Sequence, residues 1–124
     1  MPRKKLKSPF EILTETIGEA MLEKQAKQPV ILHFNKTLSS ICDAFILCHG
    51  HSRTQVEAIA DNVVAAVKKN TGLNPWHKEG YENAEWILID YSDVVVHIFQ
   101  EDRRTFYNLE QLWADAEIRK ISEK

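Results

Sequence analysis

The sequence predicts an α/β domain: a mixed β-sheet of about five strands with helices packed on one face. Three stretches carry that prediction. Trp86-Ile-Leu-Ile-Asp90-Tyr-Ser-Asp-Val-Val-Val-His97-Ile-Phe99 is two β-rich runs around a short polar break, and it reads as a hairpin closed at Ser92-Asp93. Asp43 to Gly72 runs from an apolar strand through a glycine turn into a long amphipathic helix. Ser8 to Phe34 opens with a capped helix and passes Pro29 into another strand.

The elements follow in order. Residues 1–8 form a basic tail with Arg3, Lys4, Lys5 and Lys7, a segment expected to be disordered. Ser8-Pro9-Phe10-Glu11 supplies an N-cap, a proline at the first helical position and a capping-box glutamate, and Leu13, Ile17, Ala20 and Met21 then recur at helical spacing to about Lys27. Pro29 ends that helix. Val30–Phe34 is the first strand, and the 36–40 connection is too short for a crossover, so the next strand should lie antiparallel beside it. That strand, Asp43–Cys48, is apolar on both faces and therefore central.

His49-Gly50-His51-Ser52 breaks the strand. Ser52 with Gln55 forms a second capping box, opening a helix whose Val56, Ile59, Ala60, Val63 and Val67 fall on one stripe, and Gly72 ends it. Leu73–Glu79, with Pro75 inside it, is a short edge strand, and Gly80–Asn83 is a turn into the hairpin. Arg103–Trp113, with Phe106, Leu109, Leu112 and Trp113, should make one or two helical turns packed back on the body. The folded domain is expected to span 9–115, with 116–124 a polar, fraying tail.

A two-residue loop fixes the hairpin register. Tyr91 then pairs with Val94, Ile89 with Val96 and Ile87 with Ile98, which places these aliphatic residues on one face, suited to a helix cover. Asp90 pairs with Val95, Leu88 with His97 and Trp86 with Phe99 on the other face. An indole beside a carboxylate and an imidazole suits neither a dry core nor a purely solvated face. That flank is expected to stay uncovered and to meet another molecule.

Composition narrows the partner. With 124 residues the chain forms one domain, and 44% hydrophobic with 27% charged residues is globular. A formal net charge of −2 gives no electrostatic ground for indiscriminate binding to nucleic acid or anionic membranes, which leaves protein as the expected partner. Cys42 and Cys48 match no zinc or redox spacing and read as free thiols in a reducing compartment. No apolar run reaches membrane-span length and the N-terminus lacks a signal-peptide core, so a cytoplasmic location is expected.

Chemistry finds little support. A glycine turn feeding a capped helix is a generic anion site, and Gly50-x-Ser52 also occurs at that place in the nucleotidyltransferase fold. Such an enzyme needs two carboxylates on one face of a partner strand, whereas Val94–Phe99 carries none, and Asp90 and Asp93 flank the turn on opposite faces. His49 and His51 with Asp43 or Cys48 make no metal motif, and no serine or cysteine nucleophile stands within sequence reach of a His97–Asp90 pair. No catalytic residue, metal or cofactor is expected; a nucleotide-binding enzyme using the Gly50–Ser52 turn is the alternative.

Gly50-x-Ser52, Glu79-Gly80, Trp86-Ile-Leu-Ile-Asp90, Asp93-Val-Val-Val-His97-Ile-Phe, Arg103 and Tyr107-x-Leu-Glu-x-Leu-Trp113, in this order, resemble the ribosomal silencing factor (Iojap-like) family over roughly residues 12 to 115. The resemblance implies a fold related to the nucleotidyltransferases without their catalytic carboxylates. It also implies binding to the large ribosomal subunit through ribosomal protein fourteen, blockage of small-subunit docking when nutrients are short, and a homodimer when free. Carried onto this chain, it points to Trp86 as an aromatic anchor with Asp90 and His97 beside it. Glu79, Glu82 and Glu101 become an acidic rim, joined by Tyr107 and Glu110. The chain departs from the family pattern at His33 and at Ser92, where a glycine is usual.

Overall fold

The computed structural model describes residues 6–34, 43–112 and 116–121. Cys42, Trp113, the 36–40 connection and tail residues Arg3, Lys4 and Lys5 lie outside them, as do the side chains of Phe106 and Leu112. The chain order is α1 (Pro9–Glu23), β1 (Lys27–His33), β2 (Ala44–Gly50), α2 (Arg53–Thr71), β3 (His77–Glu79), β4 (Trp86–Asp90), β5 (Val94–Gln100), α3 (Glu101–Tyr107), α4 (Leu109–Leu112) and β6 (Glu117–Lys120). The sheet has six strands in the order β3-β4-β5-β2-β1-β6. Only β2 and β5 run parallel; β1–β2, β1–β6, β3–β4 and β4–β5 are antiparallel.

Both long helices begin as their caps dictate. Ser8 Oγ accepts from Glu11 N and Ser8 N donates to the Glu11 carboxylate, a complete capping box. Ser52 Oγ likewise accepts from Gln55 N, and Gly72, in the left-handed region with φ 80°, closes α2. α1 ends at Glu23, earlier than Pro29 suggested, because the backbone turns at Gln25 with φ 61° and then enters β1. Pro29 therefore sits within β1, at a register shift between Lys27 and Val30 where no ladder donor is missed.

The 86–99 hairpin has the expected register, residue for residue, from Trp86 opposite Phe99 to Asp90 opposite Val95. Tyr91 N donates to Val94 O and Asp93 N to Tyr91 O around Ser92, whose φ of 76° explains why glycine suits this position. One sheet face is the anticipated aliphatic one: Ile87, Ile89, Val94, Val96 and Ile98 are buried with Leu13, Ile17 and Met21 of α1 and the α2 stripe.

Three expectations need correction. Glu117–Lys120, placed in the fraying tail, pairs with β1 and brings the expected sheet of about five strands to six. Helices do not lie on one face alone: Leu109 of α4 joins Val30, Leu32, Phe45, Leu47, Val95 and Phe99 in a second buried cluster on the opposite face. The edge strand is only His77–Glu79, and Pro75 precedes it.

Candidate partner-binding site

The hairpin's second face is mostly sealed, and its rim is not. Phe99 is fully buried and His97 is 3% exposed, so His97 lies beneath the surface rather than on it, which corrects its expected place as a contact residue. Trp86 remains partly exposed at the edge of this cluster. Its ring centroid stands 5.1 Å from Phe99 and 4.6 Å from Tyr107, whose side chain reaches it from the end of α3. Trp86 Nε1 donates to His97 Nδ1 at 3.0 Å. An indole N–H only donates, so His97 must present a lone pair at Nδ1 and hold its proton on Nε2. That second nitrogen is buried without a hydrogen-bond partner among the described residues, a state that costs about 1–3 kcal/mol. Burial pushes His97 down to about 3 and keeps the ring neutral.

Trp86, Tyr81 and Tyr107 line a cleft of about 580 Å³ together with Glu79, Glu82, Glu85 and one cation, Lys78, so its charged lining is net acidic. The cleft exists because the β3–β4 turn folds tightly against Trp86: Gly80 has φ 93°, and a Cβ there would overlap the Trp86 carbonyl oxygen. Arg53 of α2 fixes the turn from outside, donating through Nη2 to Glu82 O at 2.6 Å. Glu85 pairs with Arg103 across the cleft rim at 3.5 Å. Aromatic rings beside an excess of carboxylates suit a cationic polypeptide surface.

Four of the residues named from sequence thus come together, Glu79, Glu82, Trp86 and Tyr107. Others go elsewhere. Asp90 Oδ1 accepts from Ser92 N at 2.7 Å and braces the hairpin turn, at the far end of β4 from Trp86. Glu101 pairs with His51 at 3.4 Å and, with Glu110, lines a separate cleft. Two residues escaped the sequence reading. Glu85 completes the acidic mouth, and Trp76, 81% exposed just before β3, is the most open aromatic of the described residues.

A third, Arg104, positions the α3–α4 segment. It is 6% exposed and reaches across three elements. Nη1 donates to Gln28 O at 2.8 Å, Lys27 O at 3.3 Å and His49 Nδ1 at 3.0 Å, while Nε donates to Glu110 at 2.9 Å. Guanidinium always donates, so His49 accepts and is neutral; burial first, and the Arg104 charge second, hold it below the ordinary histidine value. Nothing in the letters separates this inward arginine from Arg103 beside it.

The Gly50 turn is occupied by its own helix. Gln55 Oε1 accepts from His51 N at 2.7 Å instead of completing the box at Ser52, and Nε2 donates to Lys24 O and Gln25 O. The amide group packs against Gly50, so the backbone donor that would greet a phosphate is already satisfied. β5 carries no carboxylate, and no cluster of three metal-ligating side chains occurs among the described residues. Cys48 is buried, with its thiol pushed up to about 12 by desolvation. Among the described residues no helix is long and apolar enough to cross a membrane.

Residues 7–124 match the family model described as ribosomal silencing factor during starvation. The chain is 48% identical over 104 residues to the ribosomal silencing factor of Halalkalibacterium halodurans, covering 84% of this chain and 87% of that protein. A crystal structure from Bacillus halodurans superposes with a TM-score of 0.73 at 40% identity, covering 89% of this chain and 96% of that one. One from Chromobacterium violaceum does so with a TM-score of 0.77 at 32% identity, covering 82% and 83%. The chain belongs to the ribosomal silencing factor family.

Proposed function

We propose that the protein binds the large ribosomal subunit through ribosomal protein fourteen and blocks docking of the small subunit, repressing translation when nutrients are limiting. The supporting observation is the cleft that Trp86 and Tyr107 line together with Glu79, Glu82 and Glu85. Ribosomal proteins are basic, and a carboxylate-rimmed aromatic patch complements a basic surface in both charge and contact chemistry. The action is steric and cytoplasmic and uses no catalytic residue, metal or cofactor, and the free protein is a homodimer.

Trp86→Ala tests this reading. Truncating a central aromatic anchor should weaken large-subunit binding by roughly 2 kcal/mol, about thirtyfold, with the fold retained. Adding purified protein to separated subunits and measuring re-formation of whole ribosomes by sedimentation reads the consequence. The wild type should suppress re-formation and the variant should not. Equal suppression by both would refute the assignment of the cleft.

A further inference from the structure

We propose that His97 is a positioning residue for partner recognition: from inside the sheet it takes up the indole N–H of Trp86, so that the indole meets a partner only as hydrocarbon and π surface. This deepens the reading of the cleft above and rests on it.

The geometry is specific. Trp86 and Phe99 stand directly opposite on β4 and β5, and His97 lies two residues along β5 on the same face, where it receives Nε1 at 3.0 Å. A partly exposed indole ordinarily keeps its N–H for water or for an incoming acceptor. Here the ring is held at both ends, by that hydrogen bond and by the Phe99 and Tyr107 rings. The arrangement opposes folding locally, because the outer nitrogen of His97 is buried without an acceptor among the described residues while Phe45 packs edge-on against the imidazole at 4.4 Å. A phenylalanine or leucine would fill this apolar site without an orphaned imidazole N–H, and it would instead leave the Trp86 indole N–H without its acceptor. The residue is thus poorly explained by packing and well explained by Trp86. Burial keeps the imidazole neutral, so the acceptor is present throughout the neutral range.

A recognition chemistry follows. With its N–H turned inward, the indole refuses groups that need a donor, such as a carboxylate or a backbone carbonyl. It accepts an apolar stem with a positive end, whose charge the Glu79, Glu82 and Glu85 carboxylates meet. The partner group is therefore a lysine or arginine side chain.

The test compares His97→Phe, His97→Gln and Trp86→Ala in melting temperature and in affinity for purified large ribosomal subunits. It also follows indole N–H exchange by ¹H–¹⁵N spectroscopy. In the wild type the Trp86 indole proton should exchange more slowly than that of the exposed Trp76. His97→Phe, which exchanges one unpaired donor for another, should melt near the wild-type temperature yet bind about tenfold more weakly, and His97→Gln, which restores an acceptor, should recover part of the loss. A His97→Phe protein that binds like the wild type while Trp86→Ala does not would overturn this inference and leave the proposed function standing. Undiminished binding by Trp86→Ala would overturn both. If His97→Phe fails to fold, or if the wild-type Trp86 proton exchanges as fast as that of Trp76, the positioning role is likewise refuted.

Discussion

Removing the Arg104 guanidinium should detach the α3–α4 segment while leaving the α1–α2 side of the sheet intact. In Arg104→Met, a shorter apolar side chain keeps the packing of the stem but leaves His49 Nδ1, the Lys27 and Gln28 carbonyls and the Glu110 carboxylate without their donor. Breaking a buried charged network from one side costs about 3–5 kcal/mol. Glu110 is 32% exposed and regains water, so the lower end, about 3 kcal/mol, is expected. For a domain of this size that corresponds to a melting temperature lower by about 9–15 °C. Hydrogen exchange localises the effect: amides of α3, α4 and the Lys27–Gln28 bulge should lose protection, and those of α2 should not. Tyr107 would leave Trp86, and near-ultraviolet dichroism should weaken accordingly. Arg104→Lys should rescue little, since an ammonium cannot span the same acceptors. A melting temperature within about 3 °C of wild type would refute the clamp.

Further expectations concern acid and backbone. His97 and His49 are both held below 6.5 when folded, so below that pH the unfolded chain binds more protons. Stability is fully present above about pH 6.5; for His97, held at about 3, it falls on the order of 1 kcal/mol per pH unit toward pH 3, and His49 adds a loss of the same sign. Urea titrations should show this slope, and His97→Phe should remove its share; an unchanged slope would contradict the neutral buried imidazole. Gly72→Ala places a side chain at φ 80° in open space and should cost about 1 kcal/mol. Gly80→Ala adds an overlap with the Trp86 carbonyl and should cost at least twice that, with the cleft distorted; equal losses would show that the turn gives way easily.

The hairpin was legible because side-chain alternation and a two-residue loop leave one register, and the structure has it. The α2 stripe was legible for the corresponding reason at helical period. The second buried cluster was not. Its cover comes from short helices whose docking depends on Arg104 reaching β1 and β2, a contact between positions 76 and 77 residues apart. Trp86 was singled out and stands partly exposed at the cleft, but His97 was placed beside it on the surface because alternation assigns a face and says nothing of depth. Asp90 was assigned by face in the same way, although its carboxylate serves the adjacent turn. Gln55 fits the spacing of a cap, yet the nearer amide of His51 takes its oxygen. β6 shows no alternation at all, since Glu117–Lys120 is wholly exposed and becomes a strand only by pairing with β1.

That last strand guards the sheet. β6 lies along the outer side of β1, with Ile121 seated against Gly18 of α1 and its backbone N–H donated to Pro29. Shortening the chain at Leu112 would bare the Val30–Leu32 ladder as an unpaired apolar border, the kind of surface on which chains stack and aggregate. Arg119 and Lys120 put charge on that border instead, so a polar stretch of unremarkable composition does the work of a gatekeeper.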